Sequence, residues 1–220
     1  MYIPAHFALT DDQIRGVLAS APAGDLVTSG PDGLVATFVP MLHVPGDGLG
    51  SLVGHLSRVN DQWRPAASGV AQEALFIVHG PDDFVEAEWL STSEAPSVPT
   101  WNYVTVHAWG ELVVHDDPEW SLDAVRRLSI AHGDATVDDL PDTEVAALLR
   151  AVVGVELRLT RVAGKAKMSQ NKSPQVVRQV IRGLRTSGGA DTADWMAGNS
   201  LPRALAKADM LAGLRQRHER

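Results

Sequence analysis

The chain has 220 residues, 45% of them hydrophobic, and no cysteine. That is enough apolar material for one domain with an appendage, and it excludes a disulfide framework, a cysteine-ligated zinc, an iron–sulfur cluster and a thiolate-ligated haem. The formal net charge of −8 runs against nucleic-acid binding, whose affinity comes largely from neutralising phosphates.

The basic residues that do cluster, Arg178, Arg182, Arg185, Arg203, Lys207, Arg215 and Arg217, are interleaved with apolar residues on helical stretches and read as solvated helix faces. No apolar run approaches the roughly 20 residues of a membrane span. Met1-Tyr2-Ile3-Pro4-Ala5-His6 lacks a basic region followed by an apolar stretch, so the expected location is cytoplasmic.

Thr10-Asp11-Asp12-Gln13 reads as a capping box that opens a short helix carrying Ile14, Val17 and Leu18. Asp25 to Ser29 and Leu34 to Val39, separated by Pro31-Asp32-Gly33, read as a hairpin. A strand fits Leu49 to Gly54 and ends at His55. Ala74 to His79 fits a central strand, Gly80-Pro81-Asp82-Asp83 a turn, and Phe84 to Trp89 a half-exposed alternating strand. Val104 to Trp109 alternates again, and Gly110 predicts a bulge or bend in that strand.

Asp117-Pro118 caps a helix through Leu122, Val125 and Leu128, and a second helix fits Thr143 to Val152. Val155 to Thr160 alternates as a strand. Ser173-Pro174 starts a helix with Val176, Val177, Val180, Ile181 and Leu184 on one face. Ser187-Gly188-Gly189 reads as a linker, and residues 202–217 as a final amphipathic helix. Strands first with helices grouped later predict an α+β fold built on an antiparallel barrel. The expected division is a barrel over 1–172 and a helical extension over 173–220.

The most informative stretch is Val98-Pro99-Thr100-Trp101-Asn102-Tyr103, followed by Val106-His107. It reads as a rigid loop that feeds a strand, with two aromatic faces suited to a planar ring. Upstream lies Gly54-His55-Leu56-Ser57-Arg58-Val59-Asn60-Asp61-Gln62-Trp63, and downstream Lys165-Ala166-Lys167-Met168-Ser169-Gln170-Asn171-Lys172.

With Met1-Tyr2-Ile3-Pro4, these pieces in this order resemble the PaiB family of FMN-binding negative transcriptional regulators, over residues 1 to about 185. The resemblance implies a split β-barrel of the flavin-reductase type and a homodimer with cofactor sites at the subunit interface. One branch of that family, the piperazate synthases, binds haem and closes N5-hydroxyornithine into a ring by forming an N–N bond.

The chain departs from the family pattern in two places. Ala36-Thr37-Phe38-Val39-Pro40 stands where A-T-H-L-P is usual, and Phe84-Val85-Glu86-Ala87-Glu88-Trp89-Leu90 where Y-V-S-P-x-W-Y is usual. The second change adds two carboxylates, which repel a flavin phosphate and suit a cationic amino-acid substrate. On a strand, Glu86 and Glu88 would share one face.

The resemblance places His55, Arg58 and Asn60 near the cofactor. A neutral imidazole on a rigid strand is a common haem ligand, so His55 is the first candidate for the iron and His107 the alternative. Thr100, Trp101, Asn102 and Tyr103 are the cofactor-binding candidates of the tryptophan motif. Lys167, Ser169, Gln170 and Asn171 suit an anion such as a phosphate or propionate. Glu86, Glu88 and His107 are the candidate catalytic residues, as bases for an α-ammonium. The leading expectation is a haem b enzyme that cyclises N5-hydroxyornithine to piperazate; the alternative is an FMN-binding PaiB-like regulator.

Overall fold

A computed structural model describes residues 1–20, 22–30, 33–69, 71–92 and 96–218. Seven strands form one sheet: β1 (Ala23–Gly30), β2 (Gly33–Pro40), β3 (Leu42–Val44), β4 (Ser51–Ser57), β5 (Gln72–Val85), β6 (Thr100–His115) and β7 (Val152–Lys167). Their order is β2-β1-β5-β6-β7-β4-β3. The strands pair antiparallel, with flanking helices and a helical C-terminus, which is the split-barrel architecture the pattern implies.

The helices are α1 (Asp11–Ala19), α2 (Arg64–Ala67), α3 (Ala87–Leu90), α4 (Pro118–Ala131), α5 (Asp142–Ala151), α6 (Pro174–Ser187), α7 (Ala190–Trp195) and α8 (Leu201–His218). α1 opens with the expected capping box, in which Thr10 and Gln13 cap each other's backbone. The hairpin pairs Ala23 with Pro40 through Gly30 with Gly33; Pro31 and Asp32 of its turn lie outside the described residues.

The chain packs as two units, each drawn from several segments. One comprises Met1–Leu9, His79–Thr105 and Gly164–Arg220; the other comprises Thr10–Val78 and Val106–Ala163. The core of the larger unit holds Leu26, Met41, Leu52, Leu56, Phe76, Val153, Val155 and Leu157, all within 2% of full burial. α1 adds Ile14 and Leu18 to that unit, and α4 adds Ala124 and Leu128.

In the other unit, α6 buries Val176, Val177, Val180, Ile181 and Leu184, a helical stripe read correctly from spacing. Trp89 of α3 lies on Gly183 of α6, where there is no room for a Cβ. Ser200 Oγ donates to the Met168 carbonyl at 2.7 Å and fixes the loop after β7.

Five local expectations change. Thr100–Tyr103 are strand rather than part of a loop that feeds one, because β6 starts at Thr100. His55 is inside β4, not at its end, because the strand continues to Ser57 and buries Leu56. Gly80-Pro81-Asp82-Asp83 is strand rather than turn: β5 runs through it, and Gly80 has no room for a Cβ against Val104. Glu86 and Glu88 do not share a strand face, because Glu86 is the N-cap of α3 and Glu88 lies in its first turn. Gly188 is a helix cap rather than a linker residue. It takes φ +97°, Gly189 N donates to the Leu184 carbonyl at 2.8 Å, and α7 starts at once.

Candidate functional site: a lysine-lined cavity and a histidine strand

In the unit that holds the tryptophan motif, β6 begins at Thr100. Period two sends Thr100 and Asn102 to one face and Trp101 and Tyr103 to the other. Lys167 closes β7. Its ammonium donates to the Trp101 carbonyl at 2.7 Å and also to the Thr100 hydroxyl. Burial pushes the Lys167 pKa below the ordinary lysine value.

Beside it, Asn102 is 1% exposed. It accepts from Ser169 Oγ at 3.2 Å and donates to Met196 Sδ at 3.3 Å. Ser169 sits at φ +57°, a left-handed conformation that side-chain-bearing residues adopt rarely. Thr100, Asn102, Lys167, Ser169, Asn171 and Lys172 wall a cavity of about 210 Å³, with Phe7 and Leu90 as its apolar side. That is below the roughly 300–1,000 Å³ of a pocket for a whole drug-sized molecule. The space suits an anionic headgroup.

The remaining candidates of this unit stand elsewhere. Gln170 caps its own loop: its amide oxygen accepts from Met168 N at 2.8 Å and its nitrogen donates to the Ala166 carbonyl at 2.6 Å. Trp101 is half exposed, tied by Nε1 to Asp82 at 2.8 Å and tilted against Phe84. Lys165 lies over the Tyr103 ring at 5.2 Å. Glu86 and Glu88 are exposed and do not line the cavity. Lys172, which does, was quoted in the sequence motif but not singled out; its place directly after Ser169-Gln170-Asn171 was the available signal.

In the other unit, His55 pairs with Gly154 across β4 and β7. Its Nδ1 is buried and has no hydrogen-bond partner among the described residues. Burial pulls its pKa below the ordinary histidine value, so the ring is neutral at pH 7.

Arg58 donates to Asp116 at 2.6 Å and to the Val152 carbonyl at 2.9 Å. The Asp116 hydrogen bond raises the pKa of Arg58, and the same bond lowers that of Asp116. Asn60 donates to Thr37 Oγ1 at 2.9 Å and accepts from Gln62 N at 3.0 Å. Gln62, 5% exposed, donates to the Leu26 carbonyl at 2.8 Å. The His55–Trp63 motif is therefore a hydrogen-bonded corner behind β4. His107, on β6, meets Trp109 at 5.5 Å between ring centroids. No group of three His, Asp or Glu residues able to hold a bare metal ion occurs among the described residues.

Residues 1–161 match the family described as "Putative FMN-binding domain". The chain belongs to this family. It is 27% identical over 190 residues to "Protease synthase and sporulation protein PAI 2" of Bacillus subtilis (strain 168), covering 84% of this chain and 89% of that protein. The PaiB resemblance is thereby supported.

Two examples among the solved structures that share the fold are a flavocytochrome and an FAD and heme binding protein. The flavocytochrome Anf3 from Azotobacter vinelandii superposes with a TM-score of 0.57 at 14% identity, covering 76% of this chain and 72% of that one. The FAD and heme binding protein from Mycobacterium smegmatis superposes with a TM-score of 0.53 at 17% identity, covering 71% of each chain. The family match favours the flavin alternative over the haem enzyme that the altered 84–90 segment had put first. No helix among the described residues is long and apolar enough to cross a membrane.

Proposed function

We propose that this is a PaiB-like FMN-binding protein that anchors the flavin phosphate on Lys167 and Lys172. One observation carries the reading: Lys167, Lys172, Thr100, Ser169 and Asn171 all line one cavity of about 210 Å³. A phosphate is the anion that this donor set fits, since every one of these groups can donate a hydrogen bond. Partial burial of Lys167 strengthens its pull on an anion by lowering the local dielectric. Bound flavin would supply hydride or single-electron chemistry, while the chain's own groups hold and orient it.

The protein acts as a homodimer in this reading. β2 is an edge strand whose Leu34, Val35 and Phe38 are 80%, 40% and 66% exposed, a surface that edge strands normally keep covered.

A second reading is kept for one reason, the buried Nδ1 of His55 without a partner. A neutral, rigidly mounted imidazole fits a haem iron, and the finer assignment is then the N–N bond-forming cyclisation of N5-hydroxyornithine. The exposed position of Glu86 and Glu88 at the start of α3 lends that assignment no enclosed base.

The test is the absorption spectrum of the protein incubated with FMN and, separately, with haemin, then desalted. Retained twin flavin bands support the FMN reading. A retained Soret band that His55→Ala abolishes, with no retained flavin, replaces it with the haem reading.

A further inference from the structure

The larger unit contains a cavity that neither reading uses. It has a volume of about 730 Å³ and lies among α1, the 45–50 loop and the far part of β7. That size is within the range of pockets that enclose a drug-sized molecule. Ile14 and Leu18 of α1 form its floor, at 7% and 3% exposure, and Pro45, Leu49 and Val162 extend the apolar wall.

The rim is polar. Arg161 stacks its guanidinium on Trp109 at 3.7 Å and has no carboxylate partner among the described residues. Stacking uses the face of the guanidinium and leaves its N–H edge for a ligand. Arg15 also lines the cavity, but it is engaged with Asp12. His43 Nε2 bonds the Leu49 carbonyl at 2.9 Å. A carbonyl can only accept, so Nε2 carries a proton and donates it. Asp11 is the one carboxylate on the lining, and it disfavours an anion with more than one charge.

We propose that this cavity is a second ligand site, for a singly charged amphipathic carboxylate. The hydrocarbon or aryl body lies on Ile14 and Leu18, and the carboxylate meets the edge of Arg161. Neutral apolar molecules use the floor but leave the guanidinium unpaired, so they bind more weakly, and an inorganic anion leaves the apolar floor bare. The site is separate from the Arg58–Asn60 corner. It adjoins the start of β4, whereas the corner follows its end, a strand length of roughly 20 Å away at about 3.3 Å per residue.

The experiment titrates the full chain, loaded with FMN, with sodium decanoate and with decan-1-ol by calorimetry. Decanoate is expected to bind one per chain at submillimolar concentration. Arg161→Gln weakens decanoate by about tenfold or more, the usual loss for a hydrogen bond to a charge, and leaves decan-1-ol unchanged. Ala19→Trp, placed at the exposed end of α1 on the cavity wall, blocks both probes, with circular dichroism confirming the fold of each variant.

Three outcomes overturn the proposal. They are no decanoate binding at submillimolar concentration, an Arg161→Gln variant that binds decanoate as the wild type does or loses both probes equally, and expulsion of FMN by decanoate.

Discussion

The Lys167 ammonium lies 2.7 Å from the main-chain carbonyl of Trp101. This contact joins the end of β7 to the start of β6 and holds the partly buried side chain of a cavity-lining residue. It also sets a pH dependence. Burial holds the Lys167 pKa below the ordinary lysine value, so the group loses its proton earlier than an exposed lysine as pH rises. FMN affinity should be level from about pH 7, where the phosphate is mostly dianionic. It should then fall through the lowered Lys167 pKa, before the ordinary lysine range at about 10.4. Riboflavin, which lacks the phosphate, should show no such fall. Fluorescence titrations across pH check this.

Glu156 should account for part of the acid sensitivity of the fold. Burial alone would raise its pKa, but hydrogen bonds from His115 and Ser51 and the charge of Arg158 hold it below the ordinary value. The His115 contact is 3.0 Å, with the His115 ring stacked on Trp120. A depressed carboxylate pKa contributes stability above the unfolded value of about 4.3 that is lost as pH falls through the folded one. Glu156→Gln should therefore lower the urea midpoint at pH 7, and its deficit against the wild type should shrink as pH falls below the unfolded value of about 4.3. A deficit that persists unchanged at pH 3 would assign the effect to packing.

Gly183→Ala should destabilise the protein by about 1–3 kcal/mol, the cost of overpacking a filled site, because Trp89 occupies the space of the added methyl. Gly213→Ala is the control. It lies in α8 with no atom within 4 Å of the new Cβ, and should stabilise by roughly 0.5–1 kcal/mol. Denaturant unfolding of both variants separates the two signs.

Phe38→Glu should convert the proposed dimer to a monomer. The side chain is 66% exposed on an edge strand, so the change costs the isolated chain little, while burying a carboxylate in an interface costs far more. Light scattering at micromolar concentration gives the answer; a wild-type chain that is already monomeric contradicts the dimer.

The fold was legible where one local signal agreed with the packing. The Thr10–Gln13 capping box, the α6 stripe and the alternation after Trp101 all stand in the structure. The errors came from residues with two uses. Gly80 and Pro81 resemble a turn, but the glycine serves the close approach of Val104, and the strand continues. Alternation over Phe84–Trp89 suggested a strand, yet Trp89 turns inward onto Gly183 only from a helical turn.

At the site, Lys167, Ser169 and Asn171 line one cavity together with Thr100 and Asn102. What spacing did not reveal is that Gln170, in the middle of the same motif, faces its own backbone. Period-two geometry also separates Trp101 and Tyr103 from Thr100 and Asn102, although the four are contiguous in sequence.

The most direct test of phosphate anchoring compares FMN with riboflavin on the wild type and on Lys167→Met, by calorimetric titration. Removing one charge-assisted contact costs about 1.5–3 kcal/mol, so FMN should weaken by roughly tenfold to a hundredfold while riboflavin binds as before. FMN binding that is unaffected by the substitution, or an equal loss for FMN and riboflavin, would contradict the account.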